Sequence, residues 1–137
     1  MGRTEAHRGE PAAADATLAV TQMSEMSPDL RACAVLGSDG SVLAASGGSG
    51  WAEAGAAFLA AADAAGEEPA SQVHVATEDG EAFAVREDGL AMLAVTDRFT
   101  LASLVLFDMR TVLRDLAAGN GVPDRRAPAP GPPEETA

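Results

Sequence analysis

Two short apolar runs, Ala32-Cys33-Ala34-Val35-Leu36 and Val42-Leu43-Ala44-Ala45, flank Ser38-Asp39-Gly40, and the rest of the chain is read outward from them. An Asp-Gly step supplies the positive φ angles of a tight reversal, so the two runs form an antiparallel hairpin. The first run is apolar on both faces, with Ala32, Ala34 and Leu36 on one and Cys33 and Val35 on the other. That composition predicts a central strand covered from both sides.

Upstream, Ala13 to Met26 reads as a helix with Leu18, Met23 and Met26 on one side, and Ser27-Pro28-Asp29 ends it. Downstream, Gly47-Gly48-Ser49-Gly50 is a linker into a second helix, Trp51 to Ala65, stopped by Gly66 and Pro69. Three strands follow: Gln72 to Thr77, Glu81 to Arg86 and Leu90 to Thr96, joined by turns at Glu78-Asp79-Gly80 and Asp88-Gly89. In the last of them Leu90-Ala91-Met92-Leu93-Ala94-Val95 is apolar on both faces, so it belongs in mid-sheet. A final helix starts near Phe99 with Asp97 or Thr100 as its cap. Its core arc is Leu101, Val105, Met109, Val112 and Leu116, and Gly119 ends it. The reading is an α+β fold of order α-β-β-α-β-β-β-α. It places the ordered domain at residues 15–118, a flexible N-terminal tail at 1–14 and a Pro-rich disordered tail at 119–137.

Composition narrows the function. The chain of 137 residues carries 21 acidic and 9 basic side chains, a formal net charge of -12, and no lysine. Such a chain repels phosphate backbones and anionic headgroups, which argues against nucleic acid and membrane surfaces as partners. No apolar run approaches the ~20 residues that span a bilayer. The first ten residues lack the apolar centre of a secretion signal. A single cysteine, Cys33, permits no internal disulfide and fits a reducing cytoplasm.

The segment Pro28-Asp29-Leu30-Arg31-Ala32-Cys33-Ala34-Val35-Leu36, followed by Asp39-Gly40-Ser41-Val42-Leu43-Ala44, resembles the opening hairpin of Roadblock (dynein light chain type) domains. Leu93-Ala94-Val95, then Leu101 and the last helix, looks like that family's closing strand and helix. The resemblance covers most of residues 15–118 and rests on element order more than on any one motif. It implies a five-stranded antiparallel sheet, with the second helix on one face and the first and last helices on the other. It also implies a homodimer, or a heterodimer with a paralogue, made through the second helix and the third strand. Bacterial members commonly work beside a small Ras-like GTPase.

Residues capable of chemistry are sparse. Without lysine there is no Walker A loop and no Schiff-base nucleophile. His7 falls in the tail and His74 in a strand, Cys33 lies among apolar neighbours, and no Cys, His or carboxylate spacing suits a metal. The acidic turns around Glu78, Asp79 and Asp88 read as solvated charge. The expectation is therefore no catalytic residue, no cofactor and no metal.

Surfaces say more. In the second helix Trp51, Gly55, Phe58, Leu59 and Ala62 make one stripe, read as the core face. Ala56, Ala57, Ala60, Ala61 and Ala64 make the opposite face. That alanine face (Ala56, Ala57, Ala60, Ala64), with Val73 and Val75 on an edge strand, is the expected dimer interface. On the last helix Phe107 falls on the polar side with Arg110 and Arg114. It either packs beneath the first helix or forms a partner surface with the two arginines. The function expected is a dimeric scaffold or regulator of a small GTPase. The alternatives are a PAS- or longin-like small-ligand sensor and a purely structural self-assembling component.

Overall fold

The computed structural model describes residues 10–48 and 50–119. The tail expectations for 1–9 and 120–137 lie outside the described residues. The elements are α1 (Ala13–Met26), β1 (Leu30–Leu36), β2 (Val42–Ala45), α2 (Trp51–Ala65), β3 (Gln72–Ala76), β4 (Glu81–Glu87), β5 (Leu90–Thr96) and α3 (Ala102–Ala117). Ala13 and Ala14 thus belong to α1 rather than to a tail, as their high helix propensity favours.

The strands form one antiparallel sheet of order β2-β1-β5-β4-β3. β5 is central, joined to β1 with Cys33 opposite Ala94 and to β4 with Phe83 opposite Ala94. The two strands that are apolar on both faces, β1 and β5, therefore sit inside the sheet, and β3 is an edge. Two turns of the same composition differ in geometry. Asp88 (φ 52°) and Gly89 (φ 87°) are both left-handed, the turn expected of a two-residue hairpin. At the first hairpin only Gly40 is left-handed, and Asp39 instead accepts hydrogen bonds from the Ser41 N–H (3.0 Å) and hydroxyl (2.7 Å). Those bonds hold its carboxyl below the usual carboxylate range.

Each face of the sheet has its own core. α1 and α3 cover one face, where Met23, Cys33, Val35, Phe83, Val85, Met92, Met109 and Leu113 pack together. α2 covers part of the other, over Ala34, Leu36, Ala84, Ala91 and Leu93. α1 does not pack through Leu18 and Met26, which are exposed; it buries Ala16, Ala19, Val20 and Met23. Small residues at that spacing bring the helix close to the sheet. α3 likewise starts later than expected. Phe99 adopts a left-handed φ of 64°, which interrupts any helix there, and Leu101 becomes the N-cap without a side-chain bond. Thr100 does not cap the helix; its hydroxyl meets that of Thr96 at 3.1 Å. Leu101 is exposed, while Val105, Met109, Val112 and Leu116 are buried as their spacing requires.

Candidate interaction surface

α2 reaches the sheet by a close approach at two points. Gly47 has φ +86°, and a Cβ there would sit 2.4 Å from the Ala32 Cβ, so only glycine fits this crossing from β2. A Cβ on Gly55 would lie 2.7 Å from Leu93 Cδ1. With the helix this near, the buried positions are Ala52 and Leu59, one heptad apart, with Ala56 half-buried between them. Phe58 is too large for that narrow gap. Contrary to the expected core stripe, it turns away and remains 55% exposed. Ala56 accordingly packs toward the sheet, whereas Ala57, Ala60 and Ala64 are exposed.

Both ends of α2 are fixed by polar contacts. The Trp51 indole N–H donates to the Ser46 carbonyl at 2.7 Å. At the other end Arg86 makes a two-pronged bond to Asp63 (2.8 and 2.6 Å) and also donates to the Ala70 carbonyl, while Asp63 accepts the Ala70 N–H. The guanidinium beside Asp63 holds its carboxyl below the usual carboxylate range. This half-buried clamp ties the helix, the turn after it and β4 together.

α2 lies over β1, β2 and Leu93 of β5, so Val73 and Val75 of β3, Ala82 of β4 and Val95 of β5 stay open beside it. The result is an apolar groove of about 330 Å³ whose lining includes Trp51, Phe58, Val73, Val75, Leu93 and Val95. Val73 is half-buried and Val75 exposed. No charged side chain lines the groove, so it lacks the convergent polar groups a small-ligand site needs. Beside it runs the bare edge of β3. Arg86 donates to the Ser71 carbonyl and Thr77 to that of Gly80, so Val73 and Val75 exchange bonds with β4. The amides of Gln72, His74 and Ala76 therefore point away from the sheet.

The opposite face of β3 carries His74, stacked on Phe83 with ring centroids 4.5 Å apart and bonded through Nε2 to Glu81 at 2.8 Å. That bond, with the Phe99 N–H, holds the Glu81 carboxyl below its usual range. Cys33 is wholly buried, and desolvation pushes its thiol up to about 12. Among the described residues no three His, Cys, Asp or Glu side chains group as metal ligands, and no helix is long and apolar enough to cross a membrane.

Phe107 is not beneath α1; it is 65% exposed on α3. Arg110 and Arg114 share Glu87 of β4, at 3.5 and 3.4 Å, and Arg110 also donates to the Gln72 side chain. The β3 edge was legible in the sequence, whereas the groove and the exposure of Phe58 were not. Gly55 does face the sheet as its place in the core stripe required, and the room its absent side chain leaves is too small to admit Phe58 beside it.

A five-stranded antiparallel sheet carrying one helix on one face and two on the other defines a three-layer α+β domain. Three solved structures share the arrangement. They are a Roadblock/LC7 domain from Streptomyces avermitilis (17% identity, TM-score 0.62, 72% of this chain and 92% of that one), MglB from Myxococcus xanthus (12%, 0.62, 77% and 86%) and MglB in a tetrameric arrangement (16%, 0.63, 82% and 95%). No protein-family model and no curated protein matches the chain. The fold is that of a Roadblock domain.

Proposed function

We propose that the chain is a non-enzymatic, dimeric scaffold or regulator that works with a small Ras-like GTPase. The observation that carries this reading is the apolar groove beside an unpaired β3 edge, on a Roadblock fold. An edge strand with Val73 and Val75 and no proline or lysine invites pairing with its twin. A two-fold axis through that edge would set two α2 helices side by side, closing each groove with the partner's Phe58 and exposed alanines. A specific contact of this kind would have to bury at least ~1,000 Å² between the two strands and the two helices. A paralogue with the same edge could take the place of the second copy.

The GTPase assignment draws on the Roadblock fold, whose bacterial members commonly work beside such enzymes. In this arrangement the nucleotide belongs to the partner. The chain has no lysine for a phosphate cradle, and its single cysteine is buried with a thiol raised by desolvation. Calorimetry is expected to show no heat when the isolated chain is titrated with magnesium GTP or GDP. Heat should appear with a small Ras-like GTPase of the same genome loaded with a non-hydrolysable GTP analogue. Micromolar nucleotide binding by the chain alone would contradict the non-enzymatic reading.

A further inference from the structure

Among the described residues three polar side chains are buried, Ser27, Thr96 and Asp108, and all three line one cavity. It holds about 180 Å³ and lies where the end of α1, the turn into β1, the end of β5 and the first half of α3 meet. Leu30, Leu104 and Val105 give it apolar walls. The cavity is on the face of the sheet that α1 and α3 cover, so nothing about it rests on the β3 edge or on a GTPase.

Buried polar groups in a folded domain normally find their partners. Thr96 does: its hydroxyl donates to the Asp97 carbonyl at 3.0 Å and lies 3.1 Å from that of Thr100. Asp108 is left short. A carboxylate offers about four acceptor sites, yet among the described residues Asp108 has the Ser27 side chain as its hydrogen-bond partner and no cation. Burial outweighs that bond and pushes its carboxyl above the usual carboxylate range. A buried charge without a counter-ion costs stability, and groups that break the rule in this way collect at functional sites.

Charge and size together identify the occupant. Arg31 is taken by Asp97, Arg86 by Asp63, Arg110 and Arg114 by Glu87, and Arg98 lies over the Phe99 ring. None of them lines the cavity, whereas Asp29 adds a second carboxylate to its lining. The space is thus complementary to a cation that the described residues do not supply. Pockets for free small molecules commonly measure ~300–1,000 Å³. This one is nearer the size of a single side chain. Apolar walls beside a buried carboxylate suit a long aliphatic stem with a charged tip. Arginine fits better than lysine, because a guanidinium is more weakly hydrated and its planar fork gives a carboxylate two parallel bonds.

We propose that this cavity receives one arginine side chain of a partner protein, with Asp108 as its counter-ion. Asp108 would then be retained for recognition at the expense of the free domain's stability.

The test titrates the full chain, labelled with ¹⁵N, with N-acetyl-arginine methylamide at pH 7 and follows amide shifts. Saturable shifts are expected at Ser27, Thr100 and Asp108, with the millimolar dissociation constant of a single side chain. The citrulline analogue, of the same shape without the charge, should give none. Asp108→Asn should weaken binding about tenfold or more and raise the melting temperature of the free chain by a few degrees. A merely structural aspartate would do the reverse, so a lower melting temperature in the variant would overturn the proposal. So would the absence of saturable shifts up to about 50 mM probe, or equal binding of the probe by wild type and variant, the sign of unspecific attraction to an acidic chain. Arg125→Gln/Arg126→Gln is expected to bind the probe as the wild type does. Tighter binding by that variant would mean that the chain's own arginines fill the cavity and would overturn the assignment to a partner.

Discussion

Leu113→Ala is expected to destabilise the domain by ~2–5 kcal/mol, whereas Phe107→Ala, six residues earlier on the same helix, should change stability by less than ~0.5 kcal/mol. Leu113 is wholly buried in the core that joins α1, α3 and the sheet, beside Met92 and Met109. Truncation there loses the transfer free energy of the leucine and leaves a cavity that three packed elements cannot close. A small domain is stable by only ~5–15 kcal/mol, so the loss would be a large fraction of the total. Phe107 makes no comparable contribution, since most of its surface already meets water. Urea unfolding followed by circular dichroism measures both. Equal effects at the two positions would mean that α3 is turned differently on the sheet.

Phe58→Asp is expected to raise the dimer dissociation constant by about a hundredfold or more while leaving the protomer folded. An aromatic anchor at the centre of an interface commonly accounts for several kcal/mol of association, and each ~1.4 kcal/mol is a factor of ten. In the single protomer Phe58 projects from α2 at the mouth of the groove, so a carboxylate there stays hydrated. In a dimer the same carboxylate would be buried against Val73 and Val75 of the other copy with no cation to meet it. Sedimentation equilibrium of both proteins at tens of micromolar reads the difference. Ala60→Glu, on the exposed side of the same helix, reports whether the contact extends over the alanine face. A variant that stays dimeric would move the interface elsewhere.

The fold was legible where the sequence pattern is local and redundant. β1 and β5 declared themselves central because both faces of each are apolar, and β3 fell to the edge because its residues are mixed. Aspartate followed by glycine marked each hairpin, although Asp39-Gly40 and Asp88-Gly89 turn by different geometries that dipeptide composition cannot separate. Helix faces were harder to read. In α1 and α2 alanine is so abundant that a wheel assigns the core to the largest side chains, Leu18, Met26 and Phe58. Each of these is in fact exposed. Close packing selected small residues instead, Ala16 and Ala19 in α1 and Ala52 with Gly55 in α2, because the helices lie near the sheet. That choice depends on interlayer distance, which no periodicity encodes. In α3, where leucine, valine and methionine alternate with polar residues, the wheel placed Val105, Met109, Val112 and Leu116 correctly, left out the buried Leu113, and failed at Leu101, displaced by the left-handed Phe99.

The site was legible in part for the same reason. Val73 and Val75 follow from strand order alone. The groove exists because α2 stops at Leu93 of β5 and leaves Val73, Val75, Ala82 and Val95 open, a placement that depends on Gly55 meeting Leu93 and on Arg86 holding Asp63.

Amide hydrogen exchange along β3 tests the pairing of two edges most directly. In the protomer the N–H groups of Val73 and Val75 are bonded to β4, and those of Gln72, His74 and Ala76 face outward. If two β3 edges pair, the outward amides of wild-type protein at about 100 µM should be protected by at least tenfold over the same amides in Phe58→Asp. The inward amides of Val73 and Val75 should differ far less between the two. Outward amides that exchange equally fast in both proteins, at a concentration where the inward ones are protected, would contradict the β3-edge dimer.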